Sequence, residues 1–265
     1  MRQTLLDLRR AAAERKITML TCYDASFAAV LERAGVDTLL IGDSLGMVIQ
    51  GHDSTLPVTV EDVAYHTQAV ARGSQQSLII ADMPFGSYQQ SPPQALENAA
   101  RLLQAGAQMV KLEGGDEMAP TIAFLVERGV PVCAHVGLTP QHVNRFGGYR
   151  IQGRGQAAAR IRAAARSVVQ AGADMLVIEA VPEPVARAIA TESKALTIGI
   201  GASVACSGQV LVLHDMLGVA IGKRPRFVKN FLAETGSVEA AVRAYVEQVR
   251  SGKFPSSEHV YLDSN

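Results

Sequence analysis

Four times along the chain, a helical stretch ends on glycine and a short apolar run follows, closed by a polar or ionisable residue. The copies are Ala34-Gly35-Val36-Asp37-Thr38-Leu39-Leu40-Ile41-Gly42-Asp43, Ala105-Gly106-Ala107-Gln108-Met109-Val110-Lys111-Leu112-Glu113, Arg128-Gly129-Val130-Pro131-Val132-Cys133-Ala134-His135 and Ala171-Gly172-Ala173-Asp174-Met175-Leu176-Val177-Ile178-Glu179. A glycine past a helix end adopts the left-handed conformation that stops the helix, and a run of about 4–6 apolar residues suits a strand buried on both faces. Further strands are expected at Ile17–Thr21, Ser77–Ala81, Leu196–Ile200 and Val210–Leu213. Between them, Thr59 with Asp62, and Ser91 with Pro92 and Gln94, have the spacing of helix caps. The alternation predicts an α/β protein, a single-domain (β/α)8 barrel over residues 1–265 with an N-terminal helix. One connection is short. About eight residues separate Ile200 from Gln209, fewer than the ~10–12 of a full crossover, so a turn or one helical turn is expected before the last strand.

Composition narrows the function. The 265 residues carry 25 Lys+Arg and 25 Asp+Glu, a net charge of zero, which argues against a surface that tracks nucleic-acid phosphates or an anionic membrane. Hydrophobic residues make up 48% of the chain, enough for a large core, but aromatics only 5% with no Trp. The core is therefore expected to be aliphatic, and stacking of nucleobases is disfavoured. Cys22, Cys133 and Cys206 are odd in number and widely spaced, so neither a disulfide framework nor a zinc site is expected. The first residues lack an apolar signal core and include Asp7 and Glu14, and no uncharged apolar run reaches the roughly 18 residues of a membrane span. A cytoplasmic protein with reduced thiols is expected.

In a barrel, chemistry gathers where the strands end. The residues closing the runs are Tyr23 and Asp24, Asp43 and Ser44, Asp82, Lys111 and Glu113, His135, Glu179, and His214 with Asp215. A lone Asp after a strand is usually a helix cap. Asp43, Asp82 and Glu113 end three consecutive strands, however, and converging carboxylates need a compensating cation. An all-oxygen set without Cys favours Mg2+. Lys111 faces the same side as Glu113, either as the charge partner of the acids or as an anchor for an anionic substrate. Glu179 lies across the barrel in an apolar wall of Val177, Ile178, Ala180 and Val181. Two readings stand for it: a general base facing a metal-held substrate, or a structural carboxylate capping the helix beyond Pro182. His135 is expected to be a hydrogen-bonded partner rather than a catalyst.

The stretch from Gly42-Asp43-Ser44-Leu45-Gly46 through Gln50-Gly51-His52-Asp53-Ser54-Thr55-Leu56-Pro57 resembles the ketopantoate hydroxymethyltransferases. So do Ala81-Asp82-Met83-Pro84-Phe85, Val110-Lys111-Leu112-Glu113-Gly114-Gly115, His135-Val136-Gly137-Leu138-Thr139-Pro140-Gln141, Phe146-Gly147-Gly148-Tyr149 and Lys229-Asn230-Phe231. The matches are collinear from about Thr21 to the last helix. The resemblance implies a (β/α)8 barrel that transfers a hydroxymethyl group from 5,10-methylenetetrahydrofolate to 3-methyl-2-oxobutanoate, giving 2-dehydropantoate in pantothenate synthesis. It implies Mg2+ held by Asp43, Asp82 and Glu113, 2-oxo acid contacts from Asp43, Ser44, Asp82 and Lys111, Glu179 as proton acceptor, and a homodecamer built as a pentamer of dimers. Ser203 stands where many members have Gly, and Ser207 where Asp is frequent, which bears on the folate side of the site. The runner-up is another Mg2+-dependent enolate enzyme on the same barrel, a phosphoenolpyruvate mutase or isocitrate-lyase-like lyase. Such enzymes usually add a reactive Cys on a mobile loop. A catalytically inactive scaffold is the third reading, and it gives no reason for the rim acids and Lys111 to occur together.

Overall fold

The structure, a computed structural model, describes residues 2–219 and 224–262. Eight parallel strands close a barrel in chain order: β1 (Ile17–Thr21), β2 (Thr38–Ile41), β3 (Leu78–Asp82), β4 (Met109–Glu113), β5 (Val132–Gly137), β6 (Met175–Glu179), β7 (Leu196–Ile200) and β8 (Gly208–Leu211). β1 and β8 pair from Ile17↔Gly208 to Leu20↔Leu211 and complete the ring. All strand residues are buried except Glu179, because helices cover the outside and side chains fill the interior. Apolar residues therefore run consecutively along each strand instead of alternating.

The N-terminal helix, Leu5–Glu14, begins on a reciprocal cap between Thr4 and Asp7. The predicted caps also form: Thr59 with Asp62 opens Val60–Gly73, and Ser91 accepts from the Gln94 amide to open Pro92–Gln104. The connection over 201–207 contains no helix, as its length requires. Two strand boundaries differ from expectation. β3 runs one residue later, so that Asp82 belongs to the strand itself. β8 starts at Gly208 and ends at Leu211, two residues earlier than expected at each end. Gly208 lies so close to β1 that an added Cβ would sit 2.3 Å from the Ile17 carbonyl oxygen, so glycine marks a close approach there and not a break. Beyond the strand, Leu213–Met216 form a short helix that carries His214 and Asp215.

The seam between first and last strands is fastened from outside. The Tyr245 hydroxyl, on the helix Val238–Arg250, lies 3.0 Å from the Met19 carbonyl of β1 and 2.8 Å from the Gln209 carbonyl of β8. At the lower end of β2, Asp37 is 2% exposed and meets two arginines, Arg15 at 2.7 Å and Arg250 at 3.3 Å. Its Oδ2 also accepts from the amide (2.9 Å) and hydroxyl (2.8 Å) of Thr18. Among the described residues no helix is long and apolar enough to cross a membrane.

Candidate active site

Strand register brings the rim groups together. Asp82 is level with Lys111 across β3 and β4, Glu113 with His135 across β4 and β5, and Gly137 with Glu179 across β5 and β6. Asp43 follows β2 in the next turn, and its amide donates to Asp82 Oδ2 at 2.9 Å. Lys111 Nζ reaches Asp82 Oδ1 at 2.5 Å and lies 3.9 Å from Glu113 Oε1. His135 stands between two acids, with Nδ1 3.2 Å from Glu113 Oε1 and Nε2 3.3 Å from Glu179 Oε2. These are close charge contacts without hydrogen-bond alignment. Glu113 Oε1 and both imidazole nitrogens are buried with no aligned hydrogen-bond partner among the described residues.

These groups line a cavity of about 740 Å³ at the upper mouth of the barrel, with Tyr149, Asp215, Phe227 and Tyr261 further out. Ser44 is in the same wall, its hydroxyl 2.8 Å from that of Tyr23. All five residues that the family resemblance marks for metal or 2-oxo acid, together with Glu179, thus share one cavity.

Burial dominates the charges there. It pushes the Asp43 carboxyl up to about 8, reinforced by the negative neighbours Asp82 and Glu113. Burial also opposes charge on Lys111, but Asp82, Glu113 and Asp43 outweigh it and hold the ammonium above its ordinary range. Glu113 is held below the carboxylate range despite burial, by His135, Lys111 and the Gln141 amide. His135 rises to about 9 because Glu113 and Glu179 overcome both burial and the Lys111 charge, so the imidazole is an imidazolium near neutrality.

Glu179 is the one strand residue that is not buried, its side chain 15% exposed on the cavity. The capping alternative fails, since the following helix, Glu183–Glu192, receives no side-chain cap. An imidazolium backs the carboxylate, so its surroundings are less apolar than the flanking residues suggest. Two backbone features place it. Gly137 has φ +98°, and a Cβ there would lie 2.2 Å from the Glu179 carbonyl oxygen. Ala180, immediately after Glu179, has φ +47°, the sole left-handed non-glycine among the described residues. Its amide donates to Ile200 O and its carbonyl accepts from the Gln152 amide, which hold the strained turn.

The sequence reading missed Gln141, from the loop after β5. This residue is 3% exposed, and its Nε2 donates to Asp43 Oδ2 (2.9 Å) and Met83 O (3.0 Å). Its amide donates to Glu113 Oε2 at 3.0 Å, and its Oε1 accepts from Tyr88 Oη at 2.7 Å. One glutamine therefore ties two of the three acids together. It ended a motif in the sequence, yet nothing in its neighbours showed that the loop folds back over the barrel. Asp24, in contrast, is the cap a lone Asp suggests, accepting from the Phe27 amide at 2.8 Å. Ser203 and Ser207 do not line the cavity. Ser203 donates to Glu183 at 2.8 Å and the Ser207 amide donates to the Thr197 hydroxyl at 3.0 Å, so both brace the turn between β7 and β8.

Could the acids hold a metal? Among the described residues no three His, Cys, Asp or Glu side chains already stand in an enclosing arrangement. Lys111 and the Asp43 amide engage both oxygens of Asp82, and Gln141 engages one oxygen each of Asp43 and Glu113. The donor chemistry nonetheless fits a hard cation. Three buried carboxylates converge, Glu113 Oε1 has no aligned donor, and Asp43 is driven toward protonation where a cation would relieve it.

A parallel barrel with a buried carboxylate cluster, an ammonium and an imidazolium-backed Glu at its C-terminal mouth defines an enzyme suited to small anionic substrates and proton transfer. A family profile described as ketopantoate hydroxymethyltransferase matches residues 2–257. The chain belongs to that family. It is 62% identical over 261 residues to the 3-methyl-2-oxobutanoate hydroxymethyltransferase of Azoarcus sp. (strain BH72), covering 97% of this chain and 96% of that protein. To the protein of the same name from Chromobacterium violaceum it is 60% identical over 262 residues, covering 98% and 100%. Among solved structures it is similar to 2,3-dimethylmalate lyase, a PEP mutase/isocitrate lyase superfamily member, with a TM-score of 0.61 and 17% identity over 97% of this chain and 88% of that one. That likeness extends to the fold.

Proposed function

We propose that residues 1–265 form one catalytic domain that transfers a hydroxymethyl group from 5,10-methylenetetrahydrofolate to 3-methyl-2-oxobutanoate, giving 2-dehydropantoate. The observation that carries the reading is Glu179, open to the cavity and backed by His135, facing the wall that holds Asp43, Asp82, Lys111 and Glu113. In this reading Asp43, Asp82 and Glu113 hold Mg2+, and Asp43, Ser44, Asp82 and Lys111 bind the 2-oxo acid. When bound, Mg2+ supplies Lewis acidity toward the carboxylate and keto oxygens, which acidifies C3–H.

The chain's own groups do the rest. Lys111, fixed by Asp82, sets a permanent positive charge beside the substrate oxygens. Glu179 removes the C3 proton, and the His135 ring 3.3 Å behind it holds the carboxylate in place before the transfer. Water adds to the folate methylene carbon, both of its carbon–nitrogen bonds break and tetrahydrofolate leaves. The C3 carbanion adds to the formaldehyde so released, and its oxygen takes a proton to become the product hydroxyl. Cytoplasmic location and a decameric assembly complete the reading. The first is supported by the lack of an apolar signal core and of a membrane-length apolar run, the second by family resemblance, and sedimentation of the purified protein tests the assembly.

The test needs no folate. With Mg2+ and 3-methyl-2-oxobutanoate in D2O, NMR should show deuterium entering C3. Glu179→Gln should slow that exchange by roughly 10²–10⁴-fold while substrate binding and thermal stability persist. Exchange at the parent rate in the variant moves the base elsewhere, first to His135. The lyase alternative lacks its usual reactive thiol. Cys22, Cys133 and Cys206 are all buried, and burial pushes them up to about 12, 12 and 11.

A further inference from the structure

The 2-oxo acid side of the cavity lies at the ends of β2, β3 and β4, with Glu179 on β6. A short branched 2-oxo acid fills a small part of about 740 Å³. At the ends of β7 and β8 the wall carries the apolar side chains Ile200, Val210, Val212 and Phe227, with the cations Arg224 and Arg226 beside Phe227. One acidic group interrupts it, Asp215, on the short helix Leu213–Met216.

The Asp215 carboxylate is half-buried, and no hydrogen bond or ion pair engages it among the described residues. It does not cap its own helix, and Arg224 acts on it only at longer range. Burial is the largest influence on it and pushes it up to about 6. A half-buried carboxylate without a hydrogen-bond partner is costly to keep, and a ligand that donates hydrogen bonds to it removes that cost. Apolar surface from Ile200, Val210, Val212 and Phe227 next to an acidic acceptor suits a flat heterocycle with donors along one edge. The pterin of tetrahydrofolate has such an edge, N3–H beside the 2-amino group, and a carboxylate can accept from both at once. Asp215 is also near enough to Glu179 for their charges to interact, so a pterin held by this edge leaves its methylene-bearing side toward the base.

We propose that Asp215 is the specificity-determining residue for the folate, accepting hydrogen bonds from N3–H and the 2-amino group of the pterin. The proposal rests on the folate-dependent transfer above, and C3 exchange, which needs no folate, separates failure of one from failure of the other. Asp215→Asn should raise KM for 5,10-methylenetetrahydrofolate by roughly 10–100-fold. C3 deuteration with Mg2+ and 3-methyl-2-oxobutanoate alone should proceed at the parent rate, which also shows that the variant is folded. The sharper arm uses the methylene derivative of 2-desamino-2-methyltetrahydrofolate, which lacks the amino donor. The parent enzyme should lose roughly 10-fold or more in kcat/KM with this analogue, and Asp215→Asn should lose almost nothing further. An unchanged KM for the folate in Asp215→Asn, or the same discrimination against the analogue in both proteins, overturns the assignment. Absence of C3 exchange in the parent enzyme overturns the transferase reading itself.

Discussion

Strand β2 has a buried aspartate beyond each end, and the two are held in opposite ways. Asp37, below the strand, meets Arg15, Arg250 and the Thr18 amide and hydroxyl, and these partners keep it under the ordinary carboxylate range despite its burial. Asp43, above the strand, meets Asp82 and Glu113 with Lys111 shared among them, and is pushed up to about 8. Both are at most 4% exposed, so burial does not distinguish them. The difference lies in how many cations the chain commits to each. The lower end is a closed structural joint, and the upper end is left short of positive charge, a deficit that a cation from solution would fill.

The contrast can be broken by substitution. The largest expected effect is on Asp37→Asn, which strands two arginines and should cost about 3–5 kcal/mol in urea unfolding. C3 exchange per folded molecule should stay unchanged. A small stability loss would mean that the lower joint is no stronger than a surface pair. Gln141→Met keeps the side-chain length but removes the donor that ties Asp43 to Met83 O. It should weaken Mg2+ binding by about 10–100-fold in calorimetry with little change in melting temperature. Asp43→Asn should go the other way from Asp37→Asn, stabilising the metal-free protein by about 1–2 kcal/mol at pH 8 while abolishing tight Mg2+ binding.

The mildest probe is pH. Asp37 has a depressed folded-state pKa, so its contribution to stability is present above the unfolded value of about 3.9 and is lost as pH falls below it. Asp43 has a raised one, so its contribution is present at low pH and is lost as pH climbs from about 4 through about 8. In EDTA, calorimetry should therefore show melting temperature falling between pH 6 and 8, and Mg2+ should recover it. A flat profile in EDTA would remove the assigned asymmetry between the two ends.

Much of this arrangement was legible in the sequence, for identifiable reasons. Period and glycine spacing place strands, and a barrel turns strand ends into one ring, so Asp43, Asp82, Lys111, Glu113 and Glu179 could be gathered before any coordinates. Gln141 could not, because its role depends on a loop folding back over β3 and β4, and no periodicity encodes that path. The start of β8 was misplaced because Gly208 reads locally as a breaker, whereas its function is to let two backbones touch. Asp215 was visible as a rim acid, but only the cavity showed that it opens beside the apolar Ile200, Val210, Val212 and Phe227 on the side away from the three-acid cluster.

The clasp over the seam also sets an order of events during synthesis. Tyr245 spans β1 and β8, and Arg250 returns to Asp37 across more than two hundred residues, so the first and last parts of the chain finish the barrel together. A nascent chain still inside the ribosome lacks both fasteners and exposes the open edge of β1. Sealing of the seam therefore waits for the segment that carries Tyr245 and Arg250, and a chain truncated before Tyr245 would emerge without its fasteners, a natural client for chaperones.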